Sequence, residues 1–117
     1  MTSALIARAT INDPAKRQAY GDWHSKHVFN EAIKDMSSHG LIAARRGWSL
    51  TSPEIHISAY WFADEASMKA AADQVAPKYV EILEKEWPDV TRTLEQMTAA
   101  EEWAKERAAT IVYHGVV

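Results

Sequence analysis

Residues 55–62, Ile55-His56-Ile57-Ser58-Ala59-Tyr60-Trp61-Phe62, decide the fold. They are β-branched and aromatic, with polar side chains only at alternate positions, which is the signature of a strand. The two-residue period puts His56, Ser58, Tyr60 and Phe62 on one face and Ile55, Ile57, Ala59 and Trp61 on the other. The polar turn Thr51-Ser52-Pro53-Glu54 precedes this strand, and residues 41–50 read as its hairpin partner. Toward the N-terminus, residues 4–11 read as a strand. Asp13 caps a helix that Pro14 opens, because proline at the first helical position loses no hydrogen bond. That helix is expected to run to Met36, with Asp22 and Lys26 paired on its exposed side. Ser37-Ser38-His39-Gly40 ends it, with Gly40 free to adopt a positive φ.

Toward the C-terminus, Asp64 is expected to cap a helix over 65–74, Pro77 interrupts it, and helix resumes to Trp87. Val90, Leu94 and Met97 then recur at helical spacing. Thr98-Ala99-Ala100-Glu101 has the pattern of a capping box opening a further short helix. Residues 110–117 read as a fourth strand. The order β-α-β-β-α-β predicts an α+β, ferredoxin-like domain over residues 1–117, a four-stranded antiparallel sheet with helices on one face. Its first strand is apolar on both faces, Leu5, Ala7 and Ala9 alternating with Ala4 and Ile6. A sheet face left in water would be polar. A second copy is therefore expected on the open face, making a homodimer.

The 117 residues, 47% hydrophobic and 25% charged with a net charge of -3, suit one globular domain. The 13 basic residues form no stripe, so nucleic acid is not an expected partner. No apolar run reaches the length of about 18 residues that a spanning helix needs, and no leader is read at the N-terminus. The lack of cysteine excludes disulfides, thiolate catalysis and iron–sulfur ligation, and fits a cytoplasmic setting. The four glycines form no phosphate-cradling run, so nucleotide and dinucleotide cofactors have no motif to bind, and no cofactor is expected.

Asp22-Trp23-His24-Ser25-Lys26-His27 and Gly40-Leu41-Ile42-Ala43-Ala44-Arg45-Arg46 together resemble the EthD-like group of the dimeric α+β barrel superfamily. That group carries Trp-x-x-x-His on its first helix and Gly-aromatic-x-x-Ala-x-Arg at its second strand. The chain departs from the pattern at Phe29, where the group often has proline, and at His39 and Leu41, where it has proline and an aromatic. The resemblance implies the dimeric barrel fold. The superfamily holds monooxygenases, isomerases, cyclases, lyases and heme enzymes, so fold alone selects no chemistry.

Trp23 and His27, four residues apart, share a helix face that is expected to look toward the sheet. There His27 would be a neutral general base and Trp23 a pocket wall. Opposite, Tyr60 or His56 would steady developing negative charge. His24 is expected at the cleft mouth, Trp61 as a further aromatic wall, and Arg46 as an anchor for an acidic group or, by composition, as half of an ion pair. His24, His27, His56 and His114 are possible metal ligands, but no cysteine or His-Glu-x-x-His pattern supports a metal, and none is expected. The function these residues point to is cofactor-free acid/base chemistry, of isomerase, cyclase or lyase type, on a small hydrophobic or aromatic carbonyl or phenolic substrate. A heme- or metal-binding oxygenase-like protein and a non-catalytic ligand-binding dimer are the alternatives.

Overall fold

In the computed structural model, which describes residues 1–103, the 55–62 stretch is a strand paired on both sides. The chain runs β1 (Ser3–Thr10), α1 (Pro14–His24), a π-helical turn (Ser25–Phe29), α2 (Asn30–Ser37), β2 (Leu41–Trp48), β3 (Ile55–Phe62), α3 (Glu65–Gln74), α4 (Ala76–Glu86) and β4 (Thr91–Thr98). The strands form one antiparallel sheet in the order β2-β3-β1-β4, the ferredoxin-like arrangement.

The predicted punctuation is present. Asp13 Oδ1 accepts the Ala15 N–H at 2.9 Å, and Asp64 Oδ1 accepts that of Ser67 at 2.7 Å. Gly40 turns the chain into β2 at a φ of 81°, where a side chain would also press on Ser67. The hairpin strand ends two residues earlier than expected, at Trp48, and Ser49 closes the loop by donating its N–H to the Ile55 carbonyl at 3.0 Å. Asp22 differs from expectation: both its carboxylate oxygens take the Gln18 amide at 3.1 Å. Lys26 lies within the π-helical turn and makes no ion pair with Asp22.

The expectation for the last third needs correcting. Residues 91–98 form the fourth strand, not a helix. The strand pairs with β1 along its whole length, from Ser3↔Thr98 to Thr10↔Thr91. The apolar spacing of Val90, Leu94 and Met97 is coincidental, because an edge strand needs few apolar residues. Thr91 and Thr93 are the β-branched signal instead. Thr98 caps nothing, since its hydroxyl is hydrogen-bonded to that of Ser3, and residues 99–103 are irregular. The strand read at 110–117 lies outside the described residues.

The core lies between sheet and helices. Leu5, Tyr60 and Phe62 from the strands meet Val28, Met36, Met68 and Leu83 from the helices. Full burial of side chains such as Leu5, Phe62 and Met68 stabilises the fold by roughly 1.5–3 kcal/mol each. Tyr79 donates its hydroxyl to Asp35, and Lys78 Nζ lies 3.1 Å from the same carboxylate, which fixes α4 against α2.

Candidate functional site

Tyr20, His24, Val28, Ala32 and Met36 are all buried and stand four residues apart. In a regular α-helix each four-residue step drifts about 40° off a straight line. The π-helical turn takes up that drift. Asn30 donates its backbone N–H to the Ser25 carbonyl, five residues back, and its side-chain Nδ2 donates to the same oxygen at 2.7 Å. The straightened line points His24 into the core, 3% exposed, while His27 is exposed. The expectation that His27 faces the sheet is thereby corrected. Trp23 and His27 do share a side, their rings 5.6 Å apart, but it is the flank of the helix.

Opposite His24 lies the helix-covered row of β3, with His56 1%, Ser58 2% and Tyr60 5% exposed. The rings of His24 and His56 are 4.5 Å apart, and Tyr20 and Trp48 meet His56 edge-on at 5.4 and 5.1 Å. Arg46 Nη1 lies 3.2 Å from His56 Nε2. A guanidinium only donates, so Nε2 is the acceptor and the neutral ring carries its proton on Nδ1. Arg46 thus meets an imidazole. Among the described residues no carboxylate stands within ion-pair distance of it, contrary to the composition-based expectation.

Burial, reinforced by His56 and Arg46, lowers the His24 pKa to about 3. Burial and then Arg46 lower that of His56 to about 4. Both rings are therefore neutral near pH 7. Burial pushes the Tyr60 hydroxyl up to about 12, against the pull of the Ser58 hydroxyl, so it remains a donor.

His24, Ser58 and Tyr60 line a cavity of about 60 Å³ between helices and sheet, its other walls mainly Leu5, Val28, Tyr79, Leu83 and Leu94. His24 Nδ1 is buried and has no hydrogen-bond partner. A buried polar atom left unpaired costs about 1–3 kcal/mol, so its retention calls for an explanation. A larger cleft of about 440 Å³, between 10–16 and 86–90, contains neither histidine nor tyrosine.

Of the residues singled out from the sequence, the fold brings together His24, His56, Tyr60 and Arg46. Trp23 flanks them, its ring 6.4 Å from that of Tyr20. Trp61 is not brought in: it belongs to the other face of the sheet, because it alternates with Tyr60 and Phe62. Tyr20 and Ser58 join the site as well; the sequence signal for Tyr20 is the run of fours to Met36, and that for Ser58 is its place in the row of His56 and Tyr60. Among the described residues no three histidines or carboxylates converge as metal ligands. His114 lies outside them.

No family model and no curated protein matches the chain. Solved structures do. A dimeric ferredoxin-like protein from an uncultured marine organism is 17% identical, with a TM-score of 0.66 over 87% of this chain and 98% of that one. An EthD family protein from Bacillus halodurans is 18% identical, with a TM-score of 0.61 over 85% and 99%. A variant of SnoaB, a cofactor-independent oxygenase from Streptomyces nogalater, is 13% identical, with a TM-score of 0.58 over 89% and 98%. At such identities the likeness is one of fold. The chain therefore has the ferredoxin-like α+β fold that these dimeric ferredoxin-like and EthD family structures share, in keeping with the fold that its sequence resemblance implies.

Proposed function

We propose that the protein is a cofactor-independent enzyme that takes a proton from a small hydrophobic carbonyl or phenolic compound, with His24 rather than His27 as the base. The observation that carries this is the unpartnered, buried Nδ1 of His24, on a ring that lines an apolar cavity together with the Ser58 and Tyr60 hydroxyls. The proton would pass to the imidazole. The electron pair would stay in the substrate as an enolate or phenolate, whose oxygen would accept hydrogen bonds from Tyr60 and Ser58. A base with a pKa of about 3 is weak alone. Its weakness comes first from burial without a counter-charge, and an oxyanion formed beside it supplies one. Arg46 would hold His56 in one tautomer, and His56 would pack His24 in place.

A cavity of about 60 Å³ is smaller than the roughly 150 Å³ that admits benzene. Only the reacting edge of an aromatic substrate would enter it, with the remainder toward Val80 and Leu94, which are 36% and 48% exposed. The fold's occurrence in SnoaB, a cofactor-independent oxygenase, is consistent with chemistry of this kind. From the enolate, isomerisation, cyclisation or lyase chemistry would each be one step away. We further propose a single domain and a homodimer joined through the open sheet face, working in the cytoplasm. Among the described residues no helix is long and apolar enough to cross a membrane.

The test is deuterium exchange. A panel of hydrophobic enolisable ketones is incubated in heavy water, and loss of the C–H next to the carbonyl is followed by proton NMR. His24→Gln is expected to lower the protein-catalysed rate by about 10²–10⁴-fold, with His27→Gln unchanged. Wild-type exchange in His24→Gln, or a loss confined to His27→Gln, would refute the assignment.

A further inference from the structure

We propose a second binding site, for a small carboxylate, in the surface cleft at the β2 edge where Arg46 emerges beside α1. Arg46 is half-buried and spends Nη1 on a neutral acceptor, His56 Nε2 at 3.2 Å. Among the described residues Arg46, like several other cations, has no carboxylate within ion-pair distance; what sets it apart is that it is half-buried and bonded to a neutral ring. A guanidinium has five donors in a planar fork, so one bond to a ring nitrogen leaves most of them unused.

The cleft beside it measures about 360 Å³ and is lined by Arg17, Gln18, Gly21, Asp22, Arg46, Gly47 and Trp48. Gly21 brings the helix backbone close: a Cβ there would stand 3.4 Å from Trp48 Nε1 and 3.8 Å from Arg46 Nη1. The indole N–H and the guanidinium thus reach the same cleft. Arg17 lends a second positive charge while its Nε holds the Ile11 carbonyl at 3.0 Å. Asp22 opposes an anion, but its two oxygens are engaged by the Gln18 amide. The balance of two guanidinium groups against one carboxylate favours an anion, and the planar fork favours a carboxylate.

This site meets the His24–His56 pair from the His56 side, whereas His24 lines the apolar cavity, and a carboxylate would take the Arg46 donors that His56 leaves free. Its ligand could be a substrate's own acidic group only if that substrate spans both sides, and the site does not depend on the proton-transfer reading.

Benzoate is the probe and benzamide its neutral control, titrated calorimetrically and by ¹⁵N–¹H NMR. Benzoate is expected to bind at least about tenfold more tightly than benzamide and to shift the Gly21, Gly47 and Trp48 indole signals. Arg46→Gln should weaken benzoate about tenfold or more, with Arg46→Lys intermediate, and Asp22→Asn should tighten it. His24→Gln should leave benzoate affinity unchanged even where it stops proton exchange, which separates this proposal from the previous one. Equal affinity in Arg46→Gln and wild type, or shifts confined to Ala7, Tyr60 and Leu94 around the apolar cavity, would overturn it. So would indifference between benzoate and benzamide.

Discussion

The two rows of β3 run side by side and meet opposite fates. His56, Ser58 and Tyr60, the polar-looking row, are buried beneath the helices, and Phe62 ends that row fully covered. Ile55, Ile57, Ala59 and Trp61, the apolar-looking row, stay half-exposed on the open face of the sheet. Water-soluble sheets ordinarily sort the other way. Polar groups stay in the interior only where their hydrogen bonds or their chemistry keep them there, as Arg46 does for His56. Apolar groups stay half-exposed where a partner is to cover them. The two faces therefore carry the two proposals separately, proton transfer beneath the helices and association on the outside.

The comparison breaks most sharply on the outer row. Ile57→Glu places a carboxylate in the centre of the open face, and Arg8, its cross-strand neighbour, makes that charge tolerable within one chain. In a symmetric dimer the charge would meet itself and cost several kcal/mol, so association should weaken by roughly a hundredfold or more. Sedimentation should show a folded monomer in place of the proposed dimer. An unchanged sedimentation coefficient would mean that the outer row serves no association.

The inner row is tested by acid. The folded pKa values of His24 and His56, about 3 and about 4, lie below the ordinary histidine value. Between those values and about pH 6.5 the unfolded chain binds more protons than the folded one. Stability from keeping the rings neutral is therefore fully present above about pH 6.5 and is lost as pH falls toward about 4. The slope is up to about 1.4 kcal/mol per pH unit for each ring. Urea unfolding at several pH values should show this, and His24→Leu should reduce the slope by up to half. A wild-type slope in that variant would mean that His24 is not held neutral.

A smaller effect probes how the helix aims at the inner row. Asn30→Ala removes the side-chain donor to the Ser25 carbonyl and should cost about 1 kcal/mol. It should also move the His24 ring signals more than those of Trp48. No change at His24 would leave the π-helical turn without the aiming role given to it.

The difference between the rows also marks what the sequence discloses. The period of two in 55–62, the caps at Asp13 and Asp64 and the glycine at 40 are local signals, and each appears in the structure where its chemistry requires it. Strand β4 is hard to read because, among the described residues, it is an edge strand, paired along one side and mostly exposed, and needs no apolar pattern. His27 was preferred to His24 because counting by four assumes a regular helix. A wide turn is set by packing and by Asn30, and neither shows in a helical wheel. The residue types of the site were legible, with His24, His56, Tyr60 and Arg46 all singled out, but not their pairing. The Arg46–His56 contact depends on strand register, which places Arg46 beside Ser58 and one step from His56.

The most direct measurement is the ¹⁵N spectrum of the histidine rings at about pH 5, where an ordinary histidine is mostly protonated. The account predicts that His24 and His56 still show the widely separated nitrogen shifts of neutral imidazole, with the His56 proton on Nδ1. Two protonated nitrogens on either ring, in protein that remains folded, would contradict it.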